Sequence, residues 1–312
     1  KGKINKILRK RMKTKYLIKA AWLLAVVMLI GCSQEENNRE AEKKGRASFT
    51  TQENSSSTRT TGIYSGSGID FYWTGKDKTI WLIKSDGQPM RSSTSSVTSR
   101  TARATFYFED DNGLNESSYK LRYTGSKYTN EESSSDKVTI KAEQIQDKPN
   151  DAEHIGTDGD CGTATATYVG MNKDNRRHYS FRLKHQAAYL TFIPYSTASI
   201  NMQLIEIKVE TTNTPIAGTY EFGDNGINTN NPTSSSNTIT LKLKDPSQFP
   251  IPNTPSPDKN AAIMVLAPGY YTSFKVTYKL QNSNGSTETQ SKTYYNQELK
   301  AGKNKPVKYN LA

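Results

Sequence analysis

The chain has 312 residues and a formal net charge of +12, but nine of its 42 lysine and arginine residues lie within residues 1–31, which contain no acidic residue. The remainder carries 33 basic against 30 acidic side chains, a near balance that excludes the basic footprint of a nucleic-acid-binding protein. Only 33% of the residues are hydrophobic, which is low for an enzyme with a large core and ordinary for extracellular β-sandwiches.

The N-terminal segment has the order of a secretory signal. A basic stretch follows Met12 and leads into an apolar run, Ala20–Ile30. This run of about 11 residues is shorter than the roughly 20 that a membrane-spanning helix needs. Leu29–Cys32 resembles a bacterial lipobox, so we expect residues 1–31 to be a signal peptide with its true start at Met12, and Cys32 to be lipidated. A buried N-terminal helix with an incidental cysteine is the alternative.

Residues 32–61 have the composition of a tether, charged at first and then rich in Ser and Thr. Such a segment can reach away from a membrane but cannot fold alone. It contains Arg46 and Arg59, where a trypsin-like protease would find accessible, extended backbone. Arg46 is the favoured cleavage candidate because a strand-compatible run, Ala47–Thr50, follows it.

From Gly62 onwards the chain consists of short segments with period-two alternation, bounded by Gly, Asn, Asp or Ser. Sustained helical periodicity is missing beyond the leader, so an all-β fold is predicted. The length favours two domains, which we predict as β-sandwiches over residues 62–177 and 178–312. The main predicted strands are Ile69–Trp73, Thr79–Ile83, Ala104–Phe108, Tyr119–Tyr123, Lys137–Lys141, Thr163–Val169, Tyr179–Leu183, Ala188–Ile193, Met202–Val209, Pro215–Phe222, Thr238–Leu243, Ala262–Leu266, Phe274–Leu280, Thr289–Tyr295 and Val307–Leu311.

Three polar or proline-rich stretches interrupt the strands, and we predict them as loops. They are residues 146–162, 223–237 and 246–257, the last of which contains five prolines. Because proline cannot sit inside a sheet, residues 246–257 are predicted to be a surface excursion.

Cys161 is left alone once Cys32 is lipidated, so no disulfide within the chain is expected. The neighbouring Asp158 and Asp160 oppose a reactive thiolate, and we interpret Cys161 as a small, semi-buried residue. His154 with Asp151, Glu153, Asp158 and Asp160 is the cluster closest to a metal site, but the spacing of a helical calcium loop is absent. We therefore expect a solvated loop and no metal ion.

Catalytic motifs are missing from the sequence, which contains no Gly-x-Ser-x-Gly, phosphate-binding loop or HExxH. We expect no enzyme activity, no catalytic residue and no cofactor. His185 lies in a strand-like run and is interpreted as a packed side chain. Trp73 and Trp81 could stack on a sugar, but aromatic residues in period-two strands are more often core.

A set of short motifs in a fixed order resembles the Mfa-like fimbrillins, the lipoprotein subunits of type V pili in Gram-negative gut and oral bacteria. The resemblance covers nearly the whole chain after the leader. The motifs are the lipobox Leu29–Cys32, the polar tether, Thr58–Thr61, Phe71–Gly75 followed by Ile80-Trp81, Phe181–Leu190, Ile216–Tyr220 and Leu299–Lys303.

This resemblance implies two tandem transthyretin-like sandwiches of the Ig-like Greek-key type. It implies a lipidated precursor carried to the outer membrane, where an Arg-specific protease removes the N-terminal segment. A strand from another pilin subunit then fills the groove that is left, giving an adhesive fimbria at the cell surface that contacts a host ligand. A non-polymerising surface lipoprotein that binds host or dietary glycan or protein is the alternative, and a secreted hydrolase ranks third.

Overall fold

The structure, a computed structural model, describes most of the chain beyond residue 44. The described ranges are 45–52, 61–66, 68–77, 79–109, 113–126, 134–198 and 200–312. The predicted signal peptide, Cys32 and Arg59 lie outside these ranges, and what was expected of them stays a prediction. Residues Ala47–Ala312 form one unit, which contains both hydrophobic cores described below.

Strands dominate the described residues, which confirms the predicted all-β fold. The strands are β1 (Arg46–Thr51), β2 (Thr61–Tyr64), β3 (Ile69–Tyr72), β4 (Trp81–Ile83), β5 (Pro89–Arg91), β6 (Thr94–Ser95), β7 (Thr105–Glu109), β8 (Ser118–Tyr123), β9 (Lys137–Ile140), β10 (Glu143–Gln146), β11 (Gly162–Met171), β12 (Arg177–Phe181), β13 (Lys184–His185), β14 (Ala188–Tyr195), β15 (Met202–Thr211), β16 (Ala217–Gly223), β17 (Gly226–Ser236), β18 (Thr238–Leu243), β19 (Ala262–Leu266), β20 (Gly269–Asn282), β21 (Thr287–Leu299) and β22 (Asn304–Asn310). The helical segments are α1 (Ile155–Asp158), α2 (Pro257–Asn260) and a 3-10 turn (Pro246–Gln248).

The largest sheet wraps round what we name the first core. Within the described residues its strand order is β5-β4-β8-β11-β12-β1-β7-β6, and β13 pairs with β11. The two ends of this path are joined through Ser92 and Ser93: the Ser92 amide donates to Ile80, before β4, and the Ser93 amide donates to Tyr107 in β7. The sheet therefore closes on itself. The buried residues of the first core are Ala47, Phe49, Trp73, Ile80, Leu82, Val97, Ala104, Phe106, Phe108, Leu114, Tyr119, Leu121, Tyr123, Ala164, Ala166, Tyr179, Phe181 and Leu183.

A second core lies between further sheets. Among the described residues these have the strand orders β10-β18-β15-β20-β21, β19-β14-β22 and β17-β16-β9. Strand β14 is the middle strand of its sheet and is buried on both faces along nearly its whole length, as its continuous apolar run requires. Large buried side chains of the second core include Tyr189, Phe192, Tyr220, Tyr271, Phe274 and Tyr278.

A bulge in β15 determines which of its apolar side chains are buried, which the alternation in the sequence leaves ambiguous. The pairing of β15 with β20 shifts register between Leu204 and Glu206, so Leu204 and Ile207 are both fully buried although three positions apart. Ile205 is only partly buried as a result.

Two glutamine side chains join the outer strand β10 to the outer strand β19 of the facing sheet. The side-chain amide of Gln144 donates to the Val265 carbonyl at 2.6 Å and its oxygen accepts from the Val265 amide at 3.1 Å. Gln146 binds the Ala261 carbonyl at 2.9 Å and the Ile263 amide at 2.7 Å in the same way. Both glutamines are fully buried, so these amides satisfy backbone groups that a neighbouring strand would otherwise satisfy.

Strand pairing crosses the predicted boundary between residues 177 and 178. Strand β12, which spans the boundary, pairs with β11 and β1 around the first core. Strands β9 and β10, which precede it, pair with β16 and β18 of the second core. The chain also passes from the second core at Phe71 to the first core at Trp73. The two cores are thus interleaved in sequence, and the two predicted domain ranges stay a prediction.

Some predicted loops contain regular structure. Residues 223–237 include β17, and the stretch 146–162 includes α1 with Ala152, Ile155 and Cys161 buried in the second core. Half of the residues in the proline-rich segment are exposed, and Phe249 and Ile251 anchor it to the core. In the part of the chain that the structure describes, no helix is long and apolar enough to cross a bilayer.

Candidate functional site

Strand β1 is the first strand of the described residues, yet it lies inside the largest sheet, between β12 and β7. It runs parallel to β12, with Ser48 opposite His178 and Thr51 opposite Phe181. On its other side, the Thr51 amide donates to the Ala104 carbonyl at 2.9 Å, immediately before β7. We name the space that β1 fills the slot. Because both edges of β1 are hydrogen-bonded, its removal would leave unpaired backbone on both walls of the slot.

The inner face of β1 enters the first core through Ala47 and Phe49, both of which are fully buried. The Phe49 ring stacks on Tyr179, with centroids 4.4 Å apart and planes inclined by 7°. It meets Phe108 edge-on at 4.9 Å and lies 6.3 Å from Tyr119. We name these three rings the aromatic socket, since they come from β7, β8 and β12 and enclose one side chain of β1.

The outer face of β1 is polar but also buried. The Ser48 hydroxyl lies 2.9 Å from His178 Nδ1 and accepts a hydrogen bond from the Asn172 amide at 3.3 Å. The hydroxyls of Thr50 and Thr105 lie 2.9 Å apart. Burial is the main cause that lowers the pKa of His178, so the ring favours its neutral form beside Ser48.

Thr51 makes a polar contact on the inner face of β1. Its hydroxyl accepts a hydrogen bond from the Ala104 amide at 3.0 Å, while its own amide donates to the Ala104 carbonyl. Both residues are buried, so the threonine hydroxyl satisfies a backbone donor that water cannot reach.

One sequence-predicted cleavage candidate lies at the start of β1 and the other lies after it. Arg46 is the first residue of β1 and is partly exposed, and the run Ala47–Thr50 forms the strand expected there. Arg59 follows β1 and precedes β2, within residues 53–60, which are outside the described ranges. The aromatic socket was not recognised as a site from the sequence, although its three residues belong to predicted strands.

The remaining residues considered for chemistry occupy structural positions. Nε2 of His154 lies 2.9 Å from the Ile263 carbonyl. Cys161 is fully buried rather than semi-buried, because it packs into the second core; burial, and then the charge of Asp160, raise the pKa of its thiol well above the usual range. Trp73 is buried in the first core as predicted, whereas Trp81 is only partly buried.

His185 is packed against Phe71, with ring centroids 4.0 Å apart, and its Nδ1 lies 2.9 Å from Asp160. The hydroxyl of Tyr189 binds the same carboxylate oxygen. This buried arrangement fits the interpretation of His185 as a packed side chain, and it joins β13 of the first sheet to β14 of the second core.

A polar cleft of about 410 Å³ lies beside α1. Four of its charged residues form two ion pairs: Lys76 with Glu153 at 3.0 Å and Lys141 with Asp158 at 2.9 Å. Within the described residues, no group of three or more His, Cys, Asp and Glu side chains has a geometry that could hold a metal ion. The cleft is therefore lined by ion pairs, and we assign it no chemistry.

Comparison with known proteins yields similarity only to solved structures. No protein-family model matches the chain, and no curated protein matches it. A candidate cell adhesion protein from Bacteroides ovatus is similar over 85% of this chain and 91% of its own, with 14% identity and a TM-score of 0.45. A fimbrial protein from Bacteroides ovatus is similar over 86% of this chain and 51% of its own, with 10% identity and a TM-score of 0.40. The fimbrial anchor protein Mfa2 from Porphyromonas gingivalis is similar over 78% of this chain and 82% of its own, with 10% identity and a TM-score of 0.28.

Proposed function

We propose that this chain is a structural subunit of a type V fimbria, exported as a lipoprotein through Cys32 and delivered to the outer membrane. Its assembly proceeds by proteolysis followed by strand exchange with other pilin subunits, and the fimbria supports adhesion at the cell surface. The observation that carries the proposal is the position of β1, an N-terminal strand that is hydrogen-bonded on both edges in the middle of a sheet. The ordered motifs of the Mfa-like fimbrillins support the same assignment.

The location of β1 favours Arg59 as the cleavage site that prepares exchange. A cut after Arg59 separates β1 from β2 and everything beyond it, so the strand leaves together with the lipidated segment. A cut after Arg46 keeps all of β1 except its first residue joined to the rest of the chain, and the slot stays filled. Arg46 remains the second candidate, for a cut that releases the subunit from its lipid without opening the slot.

An opened slot would be a strong acceptor for another strand. Loss of β1 exposes a row of amide and carbonyl groups on β12 and β7 and leaves the aromatic socket empty. An extended segment from another subunit restores both the ladder and the apolar contact, which is the physical basis of β-strand addition.

The test treats the purified full chain with an Arg-specific protease and follows it by mass spectrometry and by gel electrophoresis in SDS without heating. We expect the parent and Arg46→Ala to be cut after Arg59, to lose β1 and to form SDS-resistant ladders. Arg59→Ala is expected to stay monomeric. A parent chain that is cut after Arg59, loses β1 and still remains monomeric would contradict the proposal.

A surface lipoprotein that binds glycan or protein without polymerising is the second candidate. It is favoured by two large aromatic side chains on the surface, Tyr270 at 55% exposure and Tyr295 at 67%. Exposed tyrosines can stack on sugar rings or anchor a protein partner. Binding on a glycan array that is lost in Tyr295→Ala, together with no ladder after cleavage, would favour this function.

A further inference from the structure

We propose that the slot is selective for the sequence of the strand that enters it. It accepts an extended segment of another subunit that runs parallel to β12 and carries a small residue at the Ala47 position, an aromatic residue at the Phe49 position and a small hydroxyl residue at the Thr51 position. This inference rests on the proposed function, because it describes the partner that would replace β1.

The aromatic position is defined by the socket. Phe49 stacks on Tyr179 at 4.4 Å with nearly parallel planes and meets Phe108 edge-on at 4.9 Å. Tyr119 and Tyr179 are themselves 5.4 Å apart, so the socket rings pack on one another as well as on Phe49. A flat ring satisfies both the stacked and the edge-on contact, whereas a branched aliphatic side chain satisfies neither. The socket therefore prefers Phe or Tyr to Leu of similar hydrophobicity.

The hydroxyl position is defined by the Ala104 amide. That amide donates to the Thr51 hydroxyl at 3.0 Å, and both residues are buried. Valine has the shape of threonine but cannot accept a hydrogen bond, so it would leave a buried donor unsatisfied. Selection for a hydroxyl at this position is therefore a matter of polarity rather than size.

Burial on both faces of β1 determines the need for a small residue at the Ala47 position and the register of the entering strand. Ala47 is fully buried, and a larger side chain there would overpack the first core. On the outer face, Ser48 and Thr50 contact His178 and Thr105 through their hydroxyls. A shift by one residue would turn the aromatic ring toward these polar partners and the hydroxyls toward the socket. The two faces together thus exclude a shift by one residue.

The experiment measures peptide binding to the full chain during cleavage at Arg59, with the peptide in excess so that it competes with the strand of another subunit for the opened slot. Fluorescent peptides carry the sequence of Arg46–Thr51 and its variants Ala47→Leu, Phe49→Leu and Thr51→Val, and a one-residue-shifted peptide serves as the register control. We expect the parent peptide to bind best and each variant to bind roughly tenfold or more weakly. The uncut chain, whose slot is filled, is the matched control and should bind none of them.

Variants of the aromatic socket distinguish selective binding of an aromatic side chain from non-specific hydrophobic binding. In Tyr179→Leu the preference for Phe over Leu at the Phe49 position should disappear, whereas in Tyr179→Phe, which keeps the ring, it should persist. Phe49→Leu and Tyr179→Leu are also made in the uncut chain, each alone and both together. Chemical denaturation of these variants measures the coupling free energy between the two side chains, with no strand exchange involved.

The outcomes distinguish the two proposals. Cleaved chain that binds all the peptides equally overturns the selective slot while leaving strand exchange intact, as does an additive effect of the two leucine substitutions in the uncut chain. Cleaved chain that keeps β1 and binds no peptide contradicts the proposed function, and the coupling measured in the uncut chain still decides whether the socket selects for an aromatic ring.

Discussion

Nδ1 of His185 lies 2.9 Å from a carboxylate oxygen of Asp160, and both side chains are almost completely buried. The pair sits where the two cores meet, since His185 belongs to β13 of the first sheet and its ring stacks on Phe71 of the second core. The junction between the cores is therefore held by a polar contact as well as by apolar packing.

Removing one member of this pair should be costly. His185→Ala leaves the Asp160 carboxylate buried with a lost partner, and we expect the free energy of unfolding to fall by about 3–5 kcal/mol. Chemical denaturation measures the change, with the exposed neighbour Lys184→Ala as the control. Equal effects of the two substitutions would show that the contact does not stabilise the junction.

Phe49→Ala tests how strongly β1 is held. The substitution empties the aromatic socket and creates a cavity, so we expect a loss of about 3–5 kcal/mol in unfolding free energy. Tyr295→Ala, at a side chain with 67% exposure, should change stability by less than about 0.5 kcal/mol. A small effect of Phe49→Ala in the uncut chain would mean that the first core closes without β1.

Gln144→Leu tests the side-chain bridge between β10 and β19. Leucine keeps the apolar volume but leaves the Val265 amide and carbonyl without these partners, at about 1–3 kcal/mol for each unsatisfied group. Glu143→Gln on the exposed side of the same strand is the control. In thermal and urea unfolding, Gln144→Leu should therefore have a lower free energy of unfolding than Glu143→Gln, by about 1–3 kcal/mol for each unsatisfied group. Equal free energies would imply that water replaces the glutamine.

Acidification should destabilise the fold through His154. Burial lowers the pKa of this ring from 6.5, against the opposing effect of Asp158 and other nearby acids. As the pH falls through about 6.5, the unfolded chain binds a proton that the folded chain does not, so stability decreases until the lowered folded pKa is reached. The urea midpoint should fall less steeply with decreasing pH in His154→Gln than in the parent, between neutral pH and pH 5. An equal pH dependence in the two proteins would show that His154 does not cause the acid destabilisation.

Alkaline conditions should also destabilise the fold, through its buried tyrosines. Burial raises the pKa of Tyr123 and Tyr189 well above 10, and raises that of Tyr179 to about 12. Above pH 10 the unfolded chain loses these protons first, so stability decreases as the pH rises. The ultraviolet absorbance of phenolate should show a late component that coincides with unfolding, and its absence would argue against this burial.

Most strands could be predicted because their residues alternate, but pairing could not. Ala104–Phe108 and Tyr179–Leu183 were predicted within a residue or two, whereas nothing in either stretch reveals that both flank β1. The clearest miss was a polar strand. β17 consists mainly of Asn, Ser and Thr and is exposed along most of its length, so hydrophobic alternation gives almost no signal there.

The slot likewise could not be predicted from the sequence, because it depends on strand pairing. The run Ala47–Thr50 was predicted as a short strand, and Phe49 is its one large apolar side chain. That this strand is central rather than peripheral depends on β12, far along the chain, and on a sheet that closes through Ser92 and Ser93. Such long-range closure leaves no local pattern, whereas buried polar partners such as Gln144 look in sequence like ordinary surface residues.

The parallel pairing of β1 with β12 has a mechanical consequence. A pull along β1 acts in the direction of the strand, so the hydrogen bonds on its two edges share the load at once instead of opening one after another. A strand seated in this way resists being drawn out by tension along its axis. Any strand that occupies the same slot in the same direction would share that resistance to shear.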